Sequence, residues 1–97
     1  MPEYMMLCKF TQQGIANIKE SPKRVESVKK LVEKAGGKFK SFNAALGRFD
    51  TVCILEVPDD DTVASISLQI SSLGNVKIET LRLFNEKEYA AIINKIT

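Results

Sequence analysis

The chain contains no histidine and no tryptophan among its 97 residues. Without histidine it lacks the commonest general base, the commonest zinc ligand and the usual haem ligand. It also has no Ser-His or Cys-His nucleophile pair. We therefore expect no cofactor and no metal site, and the sequence alone identifies no catalytic residue.

Strong charge of one sign and long apolar runs are missing as well. The net charge is +2, which is too small for a nucleic-acid-binding protein. No apolar run reaches the length of a membrane span. The first residues, Met1–Tyr4, lack the basic lead and apolar block of a signal peptide. We expect a cytoplasmic protein that binds neither nucleic acid nor a membrane.

Cysteine is scarce, and both cysteines, Cys8 and Cys53, lie inside apolar strand-like runs. Cytosolic thiols stay reduced, and free cysteine is common in protein cores. We interpret both as buried reduced thiols. A redox pair stays open as an alternative, and it requires that the two strands be neighbours.

Four segments have the character of β-strands. The first and third, Tyr4–Thr11 and Thr51–Val57, carry apolar residues on both alternating faces. That pattern is typical of central strands covered on both sides. The second and fourth, Lys38–Leu46 and Val76–Phe84, mix charged and apolar residues, which favours the edges of a sheet.

A helix is predicted between the first two strands. Ser21 followed by Pro22 is a typical helix start, with an N-cap hydroxyl and proline at the first helical position. Gly36-Gly37 supplies the stop. In the connector before this helix, Ile15 and Ile18 have helical spacing and predict a short helical turn.

Two further helices follow the third and fourth strands. The first is predicted over Thr62–Leu73, and Asp59–Asp61 place negative charge at its positive end. These aspartates lack the glycine turn and distal glutamate of a calcium loop, so we assign them to capping and predict no metal. Asn85 and Glu88 form a capping-box pattern that opens the last helix.

The element order is β-α-β-β-α-β followed by a helix, within a single domain over residues 1–97. This order predicts an α+β, ferredoxin-like fold whose antiparallel four-stranded sheet has the first and third strands at its centre. The two crossover helices cover only one sheet face, which leaves apolar side chains on the other. We therefore predict a homodimer that packs sheet against sheet as a dimeric α/β barrel, with a higher oligomer left open.

Several blocks of the sequence together resemble one protein family. The blocks are Lys19–Arg24, Gly36-Gly37, Leu46–Asp50, Glu56-x-Pro58-Asp59 and Leu73–Arg82. They are similar to GYD-domain proteins, small bacterial and archaeal proteins of the dimeric α/β-barrel superfamily. The resemblance extends to about Phe84 and implies the fold. For function it implies only that the protein has one of the activities found in that superfamily, which include cofactor-free monooxygenases, isomerases and ligand sensors. The chain departs from the family at Phe49, where the motif has tyrosine.

Two sets of residues are candidates for binding. The turn at Gly47–Asp50 is interpreted as a hairpin turn or, alternatively, as the lip of a ligand pocket. Further polar groups of the strands are candidates to face a cavity at the sheet face, although Glu79 and Arg82 should point to opposite faces. The candidate ligand-binding residues are Arg48, Phe49, Asp50, Tyr4, Asn43, Glu79 and Arg82. At the start of the first helix, Ser21, Lys23 and Arg24 form a candidate anion site, with solvated charges as the alternative.

Three functional hypotheses follow. The leading one is a non-enzymatic homodimer that binds a small ligand in a pocket at the sheet face. The second is a cofactor-independent monooxygenase or isomerase, for which Asp50, Glu56 and Glu79 are the only available bases near the sheet. The third is a structural or partner-binding module.

Overall fold

The computed structural model describes residues 1–97 and has the predicted order of elements. The strands are β1 (Glu3–Phe10), β2 (Lys38–Ala44), β3 (Thr51–Glu56) and β4 (Val76–Leu83). The helices are α1 (Gln12–Ala16), α2 (Ser21–Lys34), α3 (Asp60–Ser72) and α4 (Glu86–Ile93), with a 3-10 turn over Ile18–Glu20.

The four strands form one antiparallel sheet in the order β2-β3-β1-β4. The two strands with apolar residues on both faces are therefore the central ones, and the two mixed strands are the edges. This confirms the α+β, ferredoxin-like prediction. Opposed residues in the centre share a face, as Met6 opposite Cys53 and Met5 opposite Ile54 illustrate.

One face of the sheet, which we call the covered face, packs against α2 and α3 and carries the core. Its strand residues alternate with those of the other face, because successive side chains of a strand point in opposite directions. The buried hydrophobic residues are Tyr4, Met6, Val32, Cys53, Leu55, Val57, Val63 and Ile66. The opposite face, the open face, has no helix over it, and Met5, Leu7, Val52 and Ile54 are only half-buried there.

A β-bulge in β2 lies between Phe39 and Ser41. Phe39 stands opposite Leu55 and Phe42 opposite Cys53, so both phenylalanines lie on the covered face. Their spacing of three residues would place them on opposite faces of a regular strand. The extra residue of the bulge, Lys40, corrects this register and brings both rings under α2.

The start of α2 differs from the prediction. Ser21 is the first residue of the helix rather than its N-cap, and no side chain caps this end. The preceding 3-10 turn ends at Glu20, whose backbone is already close to helical (φ −82°, ψ −9°). The 3-10 turn therefore runs directly into α2, and the residue before the helix does not adopt the extended conformation of an N-cap. The predicted short helical turn is present as α1.

The other helix ends are as predicted. Asp59 caps α3 by accepting a hydrogen bond from the Thr62 amide at 2.9 Å. Asn85 and Glu88 form the reciprocal capping box of α4. The α3–β4 turn passes through Gly74 at φ +83°, the left-handed region that favours glycine.

Helix α4 extends beyond the end of β4, and none of its residues is buried. Tyr89 is 60% exposed and Ile93 43% exposed, so its apolar stripe stays partly accessible to solvent. No helix in the structure has the length and apolarity that a membrane span requires.

Candidate functional site

The turn at Gly47–Asp50 holds neighbouring backbone in place. Gly47 adopts φ +114°, and the Asp50 carboxylate accepts a hydrogen bond from the Phe10 amide at 2.8 Å. The Asp50 amide in turn donates to the carbonyl of Cys8 at 2.8 Å. Arg48 is exposed, Phe49 is half-buried, and neither lines the main cavity. The geometry matches the structural interpretation of this turn, in which Asp50 binds backbone.

Tyr4 lies on the covered face and is buried, rather than facing a pocket on the open face. Its hydroxyl donates to the Asp60 carboxylate at 2.5 Å. Burial, together with this hydrogen bond, raises the pKa of Tyr4 to about 12. The phenol is therefore neutral at physiological pH and joins β1 to the first turn of α3.

Arg82 occupies the same end of the covered face. Its guanidinium lies 4.3 Å from the centre of the Phe84 ring and forms an ion pair with Glu88 at 3.6 Å. It therefore links β4 to α4. Glu79 stands opposite Leu7, on the other face of the sheet, which agrees with the predicted opposite orientation of the two side chains.

Asn43 and Glu79 lie on the two edge strands and are exposed. Asn43 stands opposite Val52 and Glu79 opposite Leu7, so both belong to the open face. They flank an apolar patch on the central strands, which we call the open-face patch. The open-face patch consists of Met5, Leu7, Val52, Ile54 and Leu81.

The main cavity lies on the other side of the sheet, between the covered face, α2 and α3, and has a volume of about 580 Å³. Met6, Cys8 and Cys53 line it from the sheet. Val28 lines it from α2 and Ile70 from α3. This cavity is thus on the opposite side of the sheet from the predicted pocket. The volume falls within the range of small-molecule sites, about 300–1,000 Å³.

Ser21 and Arg24 of the candidate anion site also line this cavity, whereas Lys23 is exposed and does not. The Arg24 guanidinium donates to the carbonyl oxygens of Asn17 at 3.0 Å and Gly14 at 3.4 Å. The structure therefore brings two of the three predicted residues to the mouth of the cavity.

The two cysteines are free and lie on neighbouring strands, both facing the cavity. Burial and the adjacent Cys8 raise the pKa of Cys53 to about 12, and burial raises the pKa of Cys8. Because only the thiolate is a good nucleophile, both groups behave as apolar lining at neutral pH.

The cavity itself is the feature that the sequence did not predict. Its size depends on the distance between α2 and α3, and hydrophobic periodicity carries no information on that distance. One available signal was the spacing of Phe39 and Phe42, which both line the cavity once the bulge is allowed for.

These features define a ferredoxin-like α+β domain with a partly open cavity on one side of its sheet and an uncovered apolar surface on the other. The chain belongs to the GYD domain family, whose model matches residues 4–93. It is also similar to a Thermus thermophilus protein named glutamine synthetase and cystathionine beta-lyase binding protein. The two are 33% identical over 82 residues, which cover 84% of this chain and 86% of that protein.

Proposed function

We propose that this protein is a homodimeric binding module that associates with a metabolic enzyme. The observation that supports the assembly is the open-face patch. Its central members, Met5, Leu7, Val52 and Ile54, lie on the two middle strands and have no covering element. Contiguous apolar surface of this kind usually marks an interface.

A second copy of the chain is the occupant that we propose for the open face. An isologous dimer places the same patch on both sides of the contact, so the two patches match in polarity and size. The edges carry charges of both signs, Lys77 and Glu79 on β4 and Lys38 on β2, which suits the polar rim of an interface.

Helix α4 supplies a second apolar surface for this dimer. Isolated helices shorter than about 12–15 residues are marginal in water, and α4 covers only Glu86–Ile93. Its capping box fixes the first turn but buries no side chain. We propose that Tyr89, Ile92 and Ile93 pack against the second copy, which would supply the missing tertiary support.

The proposed enzyme partner rests on the Thermus thermophilus relative, whose name states that it binds glutamine synthetase and cystathionine beta-lyase. We extend this class of partner to the present chain. The test is biolayer interferometry of the immobilised protein against both enzymes purified from the same organism, with an unrelated enzyme of similar size as control. Saturable binding to at least one of them is expected. Equal, non-saturating signals from all three enzymes would contradict the proposal.

A second function, binding of a small molecule, is favoured by the cavity under α2 and α3. Its lining is mostly apolar with a few polar groups, as in typical ligand sites. The experiment is a thermal-shift screen across broad classes of metabolites. A reproducible rise in melting temperature for one class is expected, and no shift with any class would count against this function.

Binding is proposed rather than catalysis because of where the carboxylates lie. Asp50 is hydrogen-bonded to backbone, and Glu56 and Glu79 belong to the open face. None of the three lines the cavity. An oxygenase or isomerase acting in this cavity would therefore lack a carboxylate base at the reacting position.

A further inference from the structure

The cavity has a single charged residue in its lining. Of the 20 residues that line it, 13 are hydrophobic, none is acidic, and Arg24 alone carries a charge. Six further lining residues are polar but uncharged, so the lining combines one cationic side chain with a mainly apolar surface. This asymmetry determines which chemistry fits.

Arg24 lacks an anionic partner within the chain. Its two acceptors, the carbonyl oxygens of Gly14 and Asn17, are neutral. A guanidinium has five N–H donors, so donors remain beyond these two contacts. Charge-assisted hydrogen bonds to a carboxylate are stronger than those to neutral acceptors, so an anion gains most at this position.

Apart from Arg24 and six uncharged polar residues, the lining is apolar. The sheet contributes Met6, Cys8 and Cys53, whose sulfur atoms are weak hydrogen-bonding groups. The helices contribute Val28 and Ile70 at half-buried positions. A ligand that carried polar groups along its length would lose their hydration without replacement. An unsubstituted hydrocarbon chain has no such cost.

We propose that the cavity binds a fatty-acid-like molecule, a hydrocarbon chain that ends in one carboxylate. The chain lies between α2, α3 and the sheet, and the carboxylate meets the Arg24 guanidinium at the mouth. This inference rests on the proposed small-molecule function and names its ligand class. It does not depend on the dimer or on the enzyme partner.

The test is isothermal titration calorimetry with dodecanoate, compared with 1-dodecanol, which has the same chain and no charge. One molecule of dodecanoate should bind per chain. Arg24→Met should raise the Kd of dodecanoate about tenfold and leave the Kd of dodecanol nearly unchanged. The matched control is Lys23→Met, which removes an exposed charge one residue away and should leave both affinities unchanged. Across octanoate, decanoate and dodecanoate, Kd should fall roughly tenfold for every two carbons.

If Arg24→Met disturbs the fold, a second variant still tests whether the ligand binds in the cavity. Val28→Phe adds volume inside the cavity and should weaken dodecanoate and dodecanol alike, with the circular dichroism spectrum unchanged. If dodecanoate and dodecanol bind equally well and Arg24→Met changes neither affinity, the ligand class is overturned. The small-molecule function would still stand. No binding of either ligand to the wild-type protein would overturn the ligand class, and the thermal-shift screen would then decide separately on the small-molecule function.

Discussion

The polar residues that the sequence marked out mainly hold the chain's own backbone and side chains. Asp50 joins the β3 entry to the end of β1, and Tyr4 joins β1 to α3 through Asp60. Arg82 binds Glu88 and stacks on Phe84. Arg24 differs from these residues, because its charge has only neutral acceptors and stands at the mouth of a cavity.

The buried side chains of Tyr4 and Cys53 should make the free energy of unfolding fall at alkaline pH. Tyr4 and Cys53 have pKa values of about 12 in the fold, against ordinary values of 10.0 and 9.0. The folded state thus binds these protons more tightly than the unfolded state. Their contribution to stability is complete below pH 9 and is lost as the pH rises from 9 towards 12.

Tyr4→Phe should therefore make the free energy of unfolding less dependent on pH between 10 and 12. The phenylalanine has no proton to lose, so the contribution of Tyr4 disappears while those of the two cysteines remain. Urea unfolding at pH 10, 10.5 and 11, within this range, measures both slopes. Identical slopes for wild type and variant would show that the phenol does not control this dependence.

Gly14 is required by close backbone contact. It lies in α1, where an added Cβ would overlap the carbonyl oxygen of Asn75 in the α3–β4 connection. The same connection accepts hydrogen bonds from Thr11, so α1 has little freedom to shift away.

Gly14→Ala should lower the free energy of unfolding by about 1–3 kcal/mol, the usual cost of overpacking. This loss opposes the gain of up to about 1 kcal/mol that alanine normally brings to a helix. Chemical denaturation measures the difference, and Gln12→Ala, at an exposed position of α1, is the control. A Gly14→Ala protein as stable as the control would contradict the packing described here.

At the scale of elements, periodicity predicted nearly every helix and strand. Two-sided apolar patterns identified β1 and β3 as central strands, because such patterns are typical of strands covered on both faces. Within the single chain only one of these faces is covered. Asn85 and Glu88 located the start of α4, since a capping box acts through local backbone. The start of α2 was predicted wrongly because Ser21 and Pro22 satisfy the local rule while the preceding 3-10 turn overrides it.

The candidate site was far less predictable than the fold. Ser21 and Arg24 were grouped because both lie at the predicted start of a helix, which is a local property. Their relation to β1, β3 and α3 depends on how three layers of side chains pack, and the bulge at Lys40 changes which residues of β2 take part. These are long-range distances that no short pattern encodes.

Helix α4 should matter for assembly and not for the fold of a single chain. The double substitution Ile92→Ser and Ile93→Ser removes apolar side chains that are 39% and 43% exposed. The free energy of unfolding of the monomer should change by no more than about 0.5 kcal/mol per site, as for other exposed positions. The dimer dissociation constant should increase, as measured by analytical ultracentrifugation. An unchanged dissociation constant would remove α4 from the interface.

The whole molecule has two different sides. The covered face supports the core and encloses a cavity, while the open face leaves apolar residues of both central strands without a covering element. The first side accounts for the proposed ligand and the second for the proposed dimer. The two proposals can therefore be separated by substitutions on opposite sides of one sheet.

Ile54→Glu should separate the proposed dimer from the proposed ligand binding. It places a charge in the centre of the open-face patch, where an opposing second copy would have to bury it without a partner. The variant should be a folded monomer that still binds dodecanoate. Leu68→Glu is the matched control, because Leu68 is 71% exposed on α3 and lies outside both the patch and the main cavity.

The most direct test of the account is sedimentation equilibrium of the wild-type protein at micromolar concentration, with Ile54→Glu and Leu68→Glu alongside. The account predicts twice the 10.8 kDa mass of one chain for wild type and for Leu68→Glu, and 10.8 kDa for Ile54→Glu. A wild-type protein that sediments as a monomer would contradict the open-face dimer, and so would an Ile54→Glu variant that remains dimeric.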